Sequence, residues 1–207
     1  MDADEHSQYF DVLRKSGFSV YAWQRIWKFQ PSTTNIRMTN FEIPAGAWQP
    51  AVDRDTISTR ALCQSLVPAL VQPVEPVFDR KMDGLLTRTD SNVTGYAEVI
   101  HGREGLWVQP FIHPETQNVP GLLMELLNTI CKKCNTTIYI CVRSYQAWIE
   151  SALEELPVLA SPRQALMVRH LAIMEKELNP VRIPAFEQTR VKPTAPVVHT
   201  KNHKQAY

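Results

Sequence analysis

Two side chains near the middle of the sequence are placed to move a proton. Glu98 lies in the run GYAEVIHG (95–102), and His113 lies near the end of EGLWVQPFIHPE (104–115). A carboxylate or an imidazole acts as a general base when it reaches a substrate amine directly or through one water. Each has a plainer reading beside that one. Glu98 also fits an outward residue of an alternating strand, and His113 also fits a polar loop cap. Trp107 and Phe111 share a strand face, where aromatic rings either line a pocket or join the core. The four cysteines are Cys63, Cys131, Cys134 and Cys141. Only CKKC (131–134) has ligand-like spacing. A structural zinc site takes four ligands, usually from a second such pair or matched histidines. Neither accompanies CKKC, so the two thiols read as helix-end cysteines and no metal is expected.

The elements that position these residues are legible as changes of period. Residues 93–171 read strand, strand, long helix, strand, helix, strand. In VPGLLMELLNTICKK (119–133), Leu122, Leu123, Leu126, Leu127 and Ile130 recur as one buried stripe. TIYICVR (137–143), SYQAWIESALEEL (144–156) and QALMVRHL (164–171) follow. Helical spacing groups Tyr145 with Trp148, Ile149, Ala152 and Leu156, which makes packing its expected role. Upstream, residues 7–16 read as a helix that Gly17 breaks. FSVYAWQRIWKF (18–29) then reads as a strand with Tyr21, Trp23, Trp27 and Phe29 on one face. Such a face must be covered, because an exposed apolar strand invites aggregation. Residues 31–47 read as a polar linker. WQPAV (48–52) reads as a short strand, and Asp53 or Asp55 as the cap of a helix whose buried stripe is Ile57, Ala61, Leu62 and Leu66. Prolines 68, 73 and 76 end that helix, and residues 81–92 read as a polar turn region. Residues 179–207 lack periodicity and apolar content, and read as a disordered tail. A faint repeat relates the helix–breaker–strand order of 12–29 to that of 152–171. On that basis residues 1–30 are either the remnant of a preceding copy or an N-terminal cap on a domain spanning 48–178.

The order from Trp48 onward resembles the core of the GCN5-related N-acetyltransferase (GNAT) superfamily. The segment LWVQPFIHPETQNVPGLLMELLN (106–128) is similar to that family's strand, proline, phosphate-binding loop and helix, with Pro110 at the strand-end proline. The resemblance implies an α/β fold with a mixed, splayed sheet flanked by helices. It also implies a cofactor, acetyl-CoA, whose pantetheine arm would lie along Val108, Gln109, Pro110 and Phe111. The pyrophosphate would sit by His113, Thr116 and Asn118, at amides of a helix N-terminus. The leading function it implies is an acyltransferase that moves an acetyl or acyl group from acyl-CoA to an amine, so the partners would be an acyl-CoA and an amine acceptor. Three departures point the other way. Thr116 and Asn118 stand where the family has small residues that let a backbone approach phosphate. Pro114 and Pro120 lack amide donors, and Glu115 adds negative charge. Leu153 stands where the family often has a proton-donating tyrosine, and leucine donates nothing. The alternative is therefore a non-catalytic GNAT-like module that binds a ligand or packs against a second copy.

Composition narrows the classes. The chain has 207 residues, 44% hydrophobic and 21% charged, with a formal net charge of +1. That balance supports a core without metal or disulfide, and gives no whole-protein field toward nucleic acid or an anionic membrane. No apolar run approaches the roughly 20 residues of a membrane span. The acidic, polar start lacks the pattern of a secretory signal, so the expected location is cytoplasmic.

Overall fold

The computed structural model describes residues 2–5, 7–31, 47–75, 84–134 and 136–170. The expected tail and most of the expected linker lie outside them. Among the described residues nine strands form one mixed sheet in the order β1-β9-β2-β7-β6-β5-β4-β3, with the short β8 also pairing β2. The strands are β1 (Asp2–Asp4), β2 (Ser19–Phe29), β3 (Gln49–Pro50), β4 (Gly84–Thr89), β5 (Asn92–His101), β6 (Leu106–Ile112), β7 (Ile138–Arg143), β8 (Leu159–Ala160) and β9 (Gln164–Val168). The described residues also form four α-helices: α1 (Gln8–Lys15), α2 (Thr56–Leu66), α3 (Val119–Cys131) and α4 (Ala147–Glu154). No helix among the described residues is long and apolar enough to cross a membrane.

Among the described strands every pairing is antiparallel except β6 with β7. That exception follows from connectivity, because β6 reaches β7 through α3, and a parallel neighbour needs such a crossover. Gly105 starts the pair. A side chain there would run into the carbonyl of Thr137, to which Leu106 donates its amide at 2.9 Å.

The sheet divides two cores. On one face α3 and α4 bury Leu122, Leu123, Leu126, Leu127, Ile149 and Leu153 against Trp27, Val108, Ile138 and Ile140. The expected α3 stripe is thus observed in full, and each fully buried leucine contributes roughly 1.5–3 kcal/mol. On the other face α2 packs Leu62, Cys63 and Val67 against Leu86, Tyr96 and Phe111.

Four sequence expectations need correction. Residues 84–89 form strand β4 rather than a turn, because their alternation pairs them with β5 as a hairpin. The buried residues of α2 are Thr59, Leu62 and Cys63, while Ile57 is 82% exposed and Ala61 is exposed. Asp55 makes no side-chain cap to α2. Its carboxylate accepts the Val52 amide at 3.1 Å and pairs with Arg88 at 2.6 Å. Tyr21 leaves the face of Trp27 and Phe29, because a register shift between Val20 and Ala22 turns it toward the α2 core. Such an irregularity re-aims a side chain by inserting one residue. Trp23 stays on the first face, where Phe10 of α1 and the guanidinium of Arg163 cover it at 6.0 and 5.4 Å.

Candidate functional site

The parallel ladder between β6 and β7 is short. It runs Leu106–Ile138, Trp107–Tyr139 and Val108–Ile140, then stops while both strands continue. Beyond Val108 the strands part and leave a wedge. Backbone groups alternate between neighbours along a strand. Leu106 faces β7, so Val108, Pro110 and Ile112 turn their polar groups to the same side. Pro110 has no amide hydrogen. Three polar groups therefore open onto the wedge: the Pro110 carbonyl, and the amide and carbonyl of Ile112.

All three are taken by the start of the α4 segment. The Gln146 side chain spans two of them: its Nε2 donates to the Pro110 carbonyl at 3.1 Å, and its Oε1 accepts the Ile112 amide at 3.3 Å. The Trp148 indole donates to the Ile112 carbonyl at 3.2 Å. Gln146 is fully buried. One primary amide thus supplies the donor and acceptor that a neighbouring strand would supply. A turn of 3-10 helix (Ser144–Gln146) carries it there, directly off the end of β7.

Position by position, the expected site does not assemble as one unit. Val108 and Phe111 are fully buried and face opposite cores. Phe111 stacks on Tyr96 with ring centroids 6.4 Å apart. Gln109 is 5% exposed, and its Nε2 has no hydrogen-bond partner among the described residues. Glu98 is half-buried, directly opposite Gln109 and Gly84. It faces Cys63, whose thiol is pushed up to about 12, chiefly by burial and then by Glu98. His113 continues β6 beyond Ile112, and its amide donates to Thr94 of β5 at 2.8 Å. Four residues of strand rise, about 13 Å, separate it from the Gln109–Glu98 pair. The two candidate bases accordingly stand apart.

The loop after β6 is held by its own bonds. The His113 Nδ1 accepts the Glu115 amide at 3.3 Å, and its carbonyl accepts the Thr116 amide at 2.9 Å. Asn118 caps α3 from the left-handed region (φ 51°), which asparagine tolerates better than most residues. Its side chain accepts the Gly121 amide at 3.1 Å and its carbonyl the Leu122 amide at 3.0 Å. Pro120 offers none, so these helix-end donors are already engaged. A cavity of about 700 Å³ lies beside this loop, lined by His113, Glu115, Thr116 and Gln117 and by Arg88 and Asn92 of the β4–β5 hairpin. His113 and Thr116 share it, but residues 108–111 do not line it.

Tyr145 departs from the helical stripe expected for it. It lies in the 3-10 turn, and Gln146 (φ −125°, ψ 43°) breaks the helical period behind it. Its ring joins the α2 core, where burial, and then Glu75, push its hydroxyl above the ordinary tyrosine range. There it borders a buried polar knot that no local sequence pattern marks. Arg143 donates to both carboxylate oxygens of Glu75 at 2.9 and 3.4 Å. It also donates to the Gln24 side-chain oxygen and to the Cys141 sulfur, while the Cys141 thiol donates to Gln24 at 3.2 Å. Burial opposes the Arg143 charge, but Cys141 and Glu75 outweigh it and hold the group above its ordinary pKa. Gln146 and Trp148 were missed for another reason: their partners are backbone groups, which no side-chain pattern announces. Among the described residues no group of three or more His, Cys, Asp or Glu is placed to hold a metal ion.

Comparison with solved structures places this architecture. No family model matches the sequence, and no curated protein matches it. A GCN5-related N-acetyltransferase from Sphaerobacter thermophilus superposes with a TM-score of 0.52 at 8% identity, over 80% of this chain and 57% of that one. A conserved protein of unknown function from Staphylococcus epidermidis ATCC 12228 gives 0.52 at 5% identity, over 80% and 68%. A GNAT-family acetyltransferase from Colwellia psychrerythraea gives 0.50 at 11% identity, over 80% and 63%. This chain thus spans about three fifths of the two acetyltransferases. With its mixed sheet, the strand–proline–loop–helix unit and these neighbours, the chain has the GNAT fold.

Proposed function

We propose that this chain is a non-catalytic GNAT-fold binding or interaction module, whose acyl-CoA slot is closed by its own side chains. One observation carries the reading: Gln146 and Trp148 occupy every strand group that opens onto the wedge. A pantetheine arm would need those same groups and would first have to expel a fully buried amide. Displacing it leaves polar atoms to be paired again, at about 1–3 kcal/mol for each one left unsatisfied. The phosphate end offers little in return, because Asn118 holds the Gly121 and Leu122 amides and Glu115 stands by the loop. Leu153 is fully buried in the apolar core, so nothing at that position donates a proton. The residues present do not fit acetyl-CoA as arranged.

A second reading, an acyl-CoA-dependent N-acyltransferase acting on an amine, is favoured by the divergence of β6 from β7. Titration calorimetry with acetyl-CoA separates the two. The module predicts no saturable heat with the unmodified chain. Gln146→Ala should lower stability by about 1–3 kcal/mol and open the wedge, so that acetyl-CoA raises the melting temperature of the variant only. Micromolar binding and turnover by the unmodified chain would overturn the module and leave the acyltransferase.

A further inference from the structure

The CKKC pair takes no part in the wedge, and the structure gives it a setting that its spacing alone does not. Cys131 is the last residue of α3, yet the helical bonding continues past it. The amides of Lys132, Lys133 and Cys134 donate to the carbonyls of Asn128, Ile130 and Ile130 at 3.0, 3.0 and 3.1 Å. Three residues along such a turn set the two Cα atoms roughly 5 Å apart. That falls within the range of about 4.4–6.8 Å that a disulfide accepts. Both thiols are half-buried at the rim of the α3–α4 core, while Cys63 and Cys141 are fully buried. Cys134 and Lys133 also line a second cleft, of about 430 Å³, which His101 and Leu106 close from the sheet.

We propose that Cys131 and Cys134 are a thiol-oxidation site, closing an internal disulfide when the protein meets a small-molecule disulfide such as oxidised glutathione. The order of attack follows from their surroundings. The Cys131 thiol is pushed up, first by burial and then by Cys134 next to it, so Cys131 is the poorer first nucleophile. The Cys134 thiolate, beside the open cleft, attacks one sulfur of the glutathione disulfide. A protein–glutathione disulfide forms and one glutathione thiolate departs. Capping Cys134 also removes the neighbouring charge that opposed ionisation of Cys131. The Cys131 thiolate then attacks the Cys134 sulfur and expels the second glutathione. Two protein thiols are oxidised, one glutathione disulfide is reduced to two thiols, and the protein's two thiol protons end on glutathione.

The site stands independently of the closed wedge, and its test does not involve acetyl-CoA. The native full chain is incubated with oxidised glutathione, denatured, labelled with N-ethylmaleimide and weighed intact. The reduced chain takes four labels, one on each cysteine. The oxidised chain should take two, on Cys63 and Cys141, with a peptide linking Cys131 to Cys134. Cys131→Ser should instead retain one glutathione on Cys134, since the resolving thiol is missing. Four labels after oxidation, covalent dimers, or a bridge involving Cys63 or Cys141 would each overturn the proposal. A Cys131→Ser variant that retains no glutathione would overturn the assigned order.

Discussion

On the α3–α4 face, Trp27, Val108, Ile140, Leu126 and Leu153 form an apolar core, and the Arg25–Glu150 ion pair beside Trp27 stays partly in solvent. On the α2 face, beside Tyr145, a full ion pair lies buried with Gln24 and Cys141. The two regions show opposite ways of handling a polar group away from water. At the wedge a neutral amide satisfies backbone atoms, one donor and one acceptor each. At the knot a charged guanidinium is held by a charged partner and two neutral acceptors. A buried polar atom is tolerated when it is bonded, and a buried charge only when it is also paired. The wedge can thus lose its plug at moderate cost, whereas the knot cannot lose one partner without leaving a bare charge.

The largest expected effect breaks that contrast at the knot. Arg143→Met strands Glu75, which is 4% exposed, without its cation. Breaking a buried pair from one side costs about 3–5 kcal/mol. Urea denaturation of Arg143→Met, Glu75→Leu and the double variant measures it. The double variant should be clearly more stable than Arg143→Met alone, because neither charge is then stranded. Strictly additive losses would mean that the two side chains act separately.

A second, smaller effect sharpens the apolar side. Leu153→Tyr would place a proton donor where GNAT-like enzymes often have one. Leu153 is fully buried, however, so the larger ring must displace its neighbours. Overpacking of this kind costs about 1–3 kcal/mol. The variant should unfold earlier than the unmodified chain and gain no acetyltransferase activity. Unchanged stability with new turnover would show that position 153 opens onto a working cleft after all.

Sequence reading reached the apolar region better than the polar one, and the reason is physical. The α3 stripe repeats within one helix, so local spacing alone reveals it. Period two likewise marked β5, β6, β7 and β9. The Arg143–Glu75 bond joins residues 68 positions apart, and no local period encodes such a distance. Gln146 was hidden in a helical run, although its backbone is not helical and its side chain serves a strand. The α2 stripe was misread because two faces compete. The more apolar face, Ile57 and Ala61, lost to Thr59, Leu62 and Cys63. Counting from Asp55, those residues fall at i+4, i+7 and i+8, one face of a helix. Asp55 is tied to Arg88 of β4, and that anchor sets which face meets the sheet.

The smallest expected effect tests that anchor through pH. The Asp55 carboxylate is held below its ordinary value of 3.8, chiefly by its hydrogen bond with Arg88 and next by the Val52 amide. A group whose folded pKa is depressed stabilises the fold above its unfolded pKa, and loses that contribution as pH falls through the folded one. The melting temperature of Asp55→Asn should therefore lie below that of the unmodified chain at neutral pH. The gap should hold down to about pH 4 and shrink steadily in more acidic solution, where both side chains are uncharged. Arg88→Met should show the same convergence, since it removes the other half of the contact. If the gap stays constant into strong acid, the charge of Asp55 contributes nothing. The turn of α2 toward Thr59 and Cys63 would then rest on packing alone. Cys63 provides an independent reading of that turn: while α2 keeps it turned toward the sheet, its thiol should resist a disulfide reagent in the native state, in the variant as in the parent.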